Sequence, residues 1–294
     1  MSVFLKVPQT TLKNTIEYSK NCLSKVLKKR WDYRLFPHNP DPNCFFPHVS
    51  LLVDSTTIPI NRPGSFENAK EFFDGKNWVY GIKKEVAVMV NPPYFALFSQ
   101  KGFPGAIHDF TFFKENYKTY LPYLKKNPQD FISFPRDNSS SWSVICDKGY
   151  IGKETYIPGL RRITPKKKPL SAFDKLNNKR IKESRVRIEM FFGRLKQSWH
   201  IIKNKYRLTH KNLEMDFDLC VYLTNELIKR RELTSEDRTF YKQLKKFQKS
   251  QFQEKRRKQK EATERYKKKK TSLYSPSQIV SQSSELFLEP DYLF

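Results

Sequence analysis

The sequence predicts an α/β fold: a mixed five-stranded sheet flanked by helices, with an N-terminal helical segment before it and a basic C-terminal helical tail after it. Two observations carry that expectation. Short apolar runs of strand length, bounded by proline, asparagine or glycine, recur between residues 51 and 164. Longer segments with helical apolar spacing then follow at residues 172–203 and 212–230.

Each element has its own local reason. Residues 10–30 set Leu12, Ile16, Leu23, Val26 and Leu27 at near-helical spacing among lysines, which predicts a helix. Pro37, Pro40, Pro42 and Pro47 make residues 36–48 an extended linker, because proline interrupts both helices and sheet ladders, and a domain boundary follows near His48. Leu51-Leu52-Val53 predicts a buried strand, residues 80–90 a second by partial alternation, and residues 94–99 a third beyond Asn91-Pro92-Pro93. A helix starts near His108, and Asn138 to Ser141 reads as a turn. Residues 143–146 form a short buried strand, and Arg162-Ile163-Thr164 a fifth, stopped by Pro165. In the second long helix, Leu213, Phe217, Cys220, Val221 and Leu227 offer one apolar face to the sheet. Residues 240–270 are dominated by Lys, Arg, Gln and Glu and predict a solvated helix that frays; the serine-rich stretch after Thr271 reads as loop. The expected divisions are a helical segment and linker (1–48), the sheet domain (49–232) and a basic tail (233–294).

Composition narrows the partners. With 56 Lys and Arg against 30 Asp and Glu, the 294-residue chain carries a formal charge of +26, more than solubility requires, and nucleic acid is the natural counterpart. No apolar run approaches the roughly 20 residues of a membrane-spanning helix. Lys6 and Pro8 interrupt the only apolar stretch that could begin a signal peptide, so an intracellular location is expected, nuclear in a eukaryote and otherwise cytoplasmic. Cys22, Cys44, Cys146 and Cys220 show no paired spacing and read as reduced thiols, the last two in core positions.

In so basic a chain, four acids set in apolar or glycine-punctuated segments point to divalent metal beside DNA: Asp54 in LLVDST, Asp109 in GAIHDF, Asp147 in VICDKGY and Glu189 in RVRIEMFFGRLK. Taken singly, each has an ordinary reading. Asp54 and Asp147 suit turns, Asp109 suits a helix N-cap, and Glu189 suits a surface pair with Arg185 one turn earlier. For Asp109, ligand and cap weigh equally.

Order and context together resemble the DDE-type transposases, in particular the PIF/Harbinger-like DDE-superfamily endonucleases and their bacterial insertion-sequence relatives, over about residues 51–206. The matching motifs are D-x-T at Asp54-Ser55-Thr56; a charged segment from Gly75-Lys76-Asn77-Trp78 to Gly81-Ile82-Lys83; G-S-x-H-D at Gly105, His108 and Asp109, with Ala106 replacing the serine; D-x-G-Y at Asp147, Gly149 and Tyr150; and R-x-x-x-E-x-x-F-G-x-x-K at Arg185, Glu189, Phe192, Gly193 and Lys196. The resemblance implies an RNase H-like fold, and the element order (three strands, helix, strand, short helix, strand, long helix) is the one such a fold requires. It further implies catalytic Asp54, Asp147 and Glu189, with Asp109 grouped among the ligands of two Mg²⁺ or Mn²⁺ ions. Asp54 would bridge the metals, with Asp147 on one and Glu189 on the other.

Arg185, Glu189 and Lys196, spaced by four and seven, share a helix face, which would bring Arg185 and Lys196 to DNA phosphates. Lys166, Lys167 and Lys168, and the run from Lys267 to Lys270, would add contacts that carry no sequence information, or serve as nuclear import signals. Trp199 and Tyr206 suit core packing more than base stacking. The resembling family has a helix-turn-helix DNA reader before its catalytic domain, and residues 7–27 look like its last helices with the preceding ones absent, or else like a surface helix packed on the domain.

The expected activity is metal-dependent DNA cleavage at transposon ends with joining of 3′ ends to target DNA, by a homo-oligomer assembled on DNA and with a separate DNA-reading partner protein as a further expectation. The alternative is a domesticated or truncated transposase-derived protein that binds DNA without cutting it. A general RNA-binding protein would leave the acids unexplained, and no RNP or KH signature is present.

Overall fold

In the computed structural model, residues 6–36, 45–133, 137–152, 157, 159–167 and 170–273 are described. A helix, Gln9–Arg30 (α1), precedes the first strand, Val49–Pro59 (β1). A short helix, Phe66–Glu71 (α2), and strands Phe73–Asp74 (β2) and Val79–Met89 (β3) follow, with Ala96–Ser99 (β4) and Phe103–Pro104 (β5) returning along β3. Three short helices come next, Asp109–Asn116 (α3), Leu121–Leu124 (α4) and Pro128–Ser133 (α5). Strands Ser143–Ile145 (β6) and Arg161–Ile163 (β7) complete the sheet. Four helices close the order: Ala172–Ser198 (α6), His200–Lys203 (α7), His210–Arg230 (α8) and Ser235–Leu273 (α9).

The sheet runs β2-β3-β1-β6-β7, antiparallel between β1 and β3 and parallel from β1 through β6 to β7. This is a mixed RNase H-like sheet, as expected. Side chains alternate across it, because successive residues of a strand point to opposite faces. Leu52, Ile58, Val86 and Val88 pack with Ile188, Phe191, Leu195 and Phe217 of α6 and α8. Leu51, Val53, Ala87 and Val144 pack with Phe113, Tyr120 and Leu124 on the other face. Helix α1 lies against α8, where Trp31 Nε1 donates to Glu226 Oε1 at 3.0 Å and Lys20 pairs with Asp216.

Four boundaries differ from expectation, three of them for a tertiary reason. Strand β1 continues six residues past Val53, because Asp54 to Pro59 pair with Val86 to Gly81 of the long β3 hairpin arm. Asp54 is therefore mid-strand, not at a strand end. The third strand starts at Ala96 rather than at residue 94, and an unforeseen strand, β5, follows Gln100–Gly102, where the Gly102 N–H is taken by Glu214 Oε1 at 2.8 Å. The long helix stops at Ser198, since Trp199 is extended (φ −122°, ψ 97°) and its Nε1 donates to Thr224 Oγ1 at 2.9 Å. The tail helix α9 starts at Ser235, earlier than expected.

The contacts divide the chain into two compact units, with the boundary between Lys245 and Lys246. In the second, the described residues continue the helix to Leu273, with polar and mostly exposed side chains. Pro37, Pro40, Pro42, Cys44 and the stretch after Leu273 lie outside the described residues.

Candidate active site

Three of the four acids meet where β1, β6 and α3 adjoin. Asp54 projects from the middle of β1, and its Oδ1 accepts from the Ser55 N–H at 2.9 Å. Asp147 follows β6 and opens a 3-10 turn, Lys148–Tyr150, accepting from the Lys148 N–H at 2.7 Å. Asp109 is the first residue of α3, and the cap is the residue before it: His108 Nδ1 accepts from the Phe110 N–H at 3.3 Å. The capping alternative for Asp109 is thus overturned. With His108 at the helix end, the Asp109 carboxylate is free to turn inward, where it is buried and accepts from Ser55 Oγ at 3.1 Å. Gly149 makes room for it, since a Cβ there would lie 2.6 Å from Asp109 Oδ2.

Cations knit these acids together. Arg185 Nη2 donates to Asp54 Oδ2 at 2.7 Å, and its Nη1 lies 3.2 Å from Asp147 Oδ1. Lys76 Nζ is 3.5 Å from Asp147 and 3.7 Å from Asp109, while Lys83 Nζ is 3.2 Å from Asp109 and donates to the Ile107 carbonyl at 2.8 Å. Burial acts to raise the Asp109 and Asp147 carboxyls, but the neighbouring charges outweigh it. Lys83 and Lys76 hold Asp109 below the usual carboxylate range, and Arg185 and Lys76 do the same for Asp147. Burial likewise works against the Lys76 ammonium, yet Asp54, Asp109 and Asp147 together raise it.

Glu189 is not part of this cluster. One turn beyond Arg185 on α6, its Oε2 accepts from Arg238 Nε of α9 at 2.8 Å. The ordinary alternative for Glu189, a surface pair with Arg185, gives way to two longer-range partnerships, Glu189 with Arg238 and Arg185 with Asp54. Lys196, expected to approach phosphates, is instead buried, donating to the carbonyls of Thr57 at 2.8 Å and Ile202 at 2.9 Å. Burial and the nearby Lys245 push its ammonium down to about 7. Lys196 therefore joins α6 to β1 and α7. Lys166 and Lys167 are exposed, with Lys166 Nζ 2.7 Å from Asp174 of α6; Lys168 lies outside the described residues. Tyr206 is buried and donates to Asp216 Oδ2 at 2.8 Å, so its use is in the core.

Arg238 and Lys245 went unseen in the sequence, and Ser55, Lys76 and Lys83, though part of the quoted motifs, were given no role there. A signal existed for one of them, because Lys83-Lys84-Glu85 interrupts an otherwise apolar strand and buried charges require partners. Alternation sends Lys83 to Asp109, Lys84 to Glu214, and Glu85 to the Tyr120 hydroxyl. Helix α9 contributes Tyr241, whose hydroxyl lies 3.3 Å from Thr56 Oγ1, and Lys245, whose ammonium burial depresses but Tyr241 and Asp54 raise.

Among the described residues, no three His, Cys, Asp or Glu side chains converge closely enough to hold a metal as they stand. The donor chemistry nonetheless fits a hard divalent cation. All the converging groups are carboxylates, and Asp54 and Asp147 already share one positive charge, the Arg185 guanidinium.

The RNase H-like sheet thus brings together one carboxylate from β1 and one from just beyond the parallel β6. The family model for DDE superfamily endonucleases matches residues 53–225, more than half of the chain, and the chain belongs to that family. It is thereby placed among transposase-type nucleases, hydrolases that cleave DNA and generally use divalent metals. No curated protein and no solved structure matches the chain. No described helix is long and apolar enough to cross a membrane.

Proposed function

We propose that this protein is a metal-dependent DNA endonuclease of transposase type that hydrolyses phosphodiester bonds at transposon ends and joins the resulting 3′ ends to target DNA. The observation that carries this reading is the approach of Asp54 and Asp147, from neighbouring parallel strands, to one cationic group. Asp54, Asp109, Asp147 and Glu189 are the residues that would hold two Mg²⁺ or Mn²⁺ ions. Such ions activate a water and stabilise the departing 3′ oxygen.

The chain's own residues prepare that chemistry. Lys83 and Ser55 orient Asp109, and the Lys148 N–H orients Asp147. Exposed Lys76 stands at the rim, where a phosphate can displace it from the acids. Lys166, Lys167 and Lys168 supply backbone phosphate contacts. Residues 49–232 form the catalytic domain, acting in the nucleus of a eukaryote or the cytoplasm otherwise, as a homo-oligomer on DNA with a separate DNA-reading protein.

The second reading, a transposase-derived DNA-binding protein without nuclease activity, is favoured by one observation: Glu189 is engaged by Arg238 rather than by the other acids. Supercoiled-plasmid nicking in Mg²⁺ and Mn²⁺ separates the two. Metal-dependent nicking that is lost in Asp147→Asn and Glu189→Gln, with DNA binding retained, is the expected result. A folded, DNA-binding wild type that nicks nothing would establish the second reading.

A further inference from the structure

Glu189 is engaged by one guanidinium, that of Arg238, which comes from beyond the segment that the family model matches. Arg238 sits in the first turns of α9, where the backbone is held from both sides. Arg194 of α6 clamps the Asp237 carboxylate at 2.7 and 2.9 Å and reaches the carbonyls of Arg231 and Glu232, each at 2.9 Å. Gly193 lies so close that a Cβ would fall 1.8 Å from the Asp237 carbonyl oxygen. One turn on, Tyr241 meets Thr56 of β1. With the backbone fixed at these points, the mobile part of Arg238 is its side chain. That side chain is 26% exposed and Glu189 is 27% exposed, so a polyanion can reach the pair. The bond to Glu189 runs through Nε, while a forked phosphate contact uses the guanidinium's other nitrogens as well.

We propose that Arg238 is a positioning residue through which DNA assembles the site: a backbone phosphate takes the guanidinium, and the released Glu189 joins Asp54 and Asp147. The proposal rests on the nuclease reading above and adds its control. Free protein holds Glu189 neutralised and the acid set incomplete; DNA completes it. By linkage, whatever releases Glu189 tightens metal binding, and whatever frees Arg238 tightens DNA binding.

The test uses the full chain and two probes, Mn²⁺ followed by electron paramagnetic resonance without DNA, and a DNA duplex followed by fluorescence anisotropy without metal. Arg238→Gln raises Mn²⁺ affinity roughly five- to tenfold, within the usual range of site coupling. The gain disappears in a Glu189→Gln background, and Arg238→Lys, which keeps the charge, stays near wild type. A merely structural Arg238 could not tighten metal binding when lost. Glu189→Gln independently raises duplex affinity severalfold, because Arg238 then yields no partner to bind phosphate; this arm needs no Arg238 variant to fold. Unchanged or weaker Mn²⁺ binding in a folded Arg238→Gln, the same gain without Glu189, or unchanged duplex affinity in Glu189→Gln overturns the proposal. If plasmid nicking still depends on Asp147, only the control by Arg238 falls; if Asp147→Asn nicks like wild type, the nuclease reading falls with it.

Discussion

Arg185 Nη2 lies 2.7 Å from Asp54 Oδ2, and the same guanidinium reaches Asp147, so one side chain of α6 bridges the carboxylates of two adjacent strands. Arg185 is only 12% exposed, and its guanidinium stands where the acids could share a divalent ion. On the proposed reading, metal and Arg185 would therefore compete for the same oxygens.

Replacing Arg185 with Met tests this competition. Without the guanidinium, two inward-facing carboxylates lose their counter-charge, at a cost of about 3 kcal/mol for breaking a largely buried pair. A ligand that binds only the folded state recovers stability, so Mn²⁺ should raise the melting temperature of the variant more than that of wild type. Thermal unfolding with Mn²⁺ and with chelator measures the difference. Equal increments in both proteins would rule out the competition.

Gly193 gives a second test, of the close crossing of α6 and α9. In Gly193→Ala, the new methyl would meet the Asp237 carbonyl at 1.8 Å, a backbone atom that cannot rotate away. The helices must separate, weakening the Arg194 clamp on Asp237. A loss of about 3 kcal/mol is expected, at the upper end of ordinary overpacking, read as a lower urea midpoint. A midpoint within experimental error of wild type would show that the crossing opens freely.

The same crossing shows which parts of the site the sequence could reveal. The order of elements along the chain and the acid motifs were legible, because alternation and short motifs are local properties. Partners were not, since Arg185 reaches Asp54 across 131 residues and Arg238 reaches Glu189 across 49. Helical periodicity correctly put Lys196 on one face with Arg185 and Glu189, but it could not say that this end of the face is covered. Phe192 one turn earlier and the adjacent Leu195, both buried, were the available hint. At Asp109, the cap fell to His108, a residue type outside the usual capping set.

The second half of α9 offers a test of the proposed DNA contacts that is separate from cleavage. From Lys246 to Lys269 its side chains are mostly exposed and largely basic. Truncation after Glu254 should flatten the dependence of log affinity on log salt, by roughly 0.9 for each phosphate that the tail neutralises. Titrations of a DNA duplex at several salt concentrations measure that slope, and an unaltered slope would exclude the tail from the interface.

Glu85 makes the sharpest pH prediction, because it is a fully buried acid on β3 opposite Ser55, accepting from the Tyr120 hydroxyl. Burial pushes its carboxyl up to about 8, against the pull of Tyr120 and Tyr150 and with help from Asp109 and Asp54. At neutral pH the folded protein holds it protonated, whereas the unfolded chain ionises it near 4.5. Folding thus takes up a proton between those values. The associated stability is fully present below about pH 4.5 and is lost as pH rises through about 8, with a slope of up to about 1.4 kcal/mol per pH unit. Glu85→Gln keeps the shape and cannot ionise, so its stability relative to wild type should climb across that window. Asp109 and Asp147, held low by their cations, give slopes of the opposite sign, but those are common to both proteins and cancel in the difference. Urea unfolding of both proteins from about pH 5 to 8 provides that difference curve. A flat curve would mean that Glu85 is ionised in the fold, and that Lys83 and Lys76 neutralise one more acid than their contacts with Asp109 and Asp147 account for.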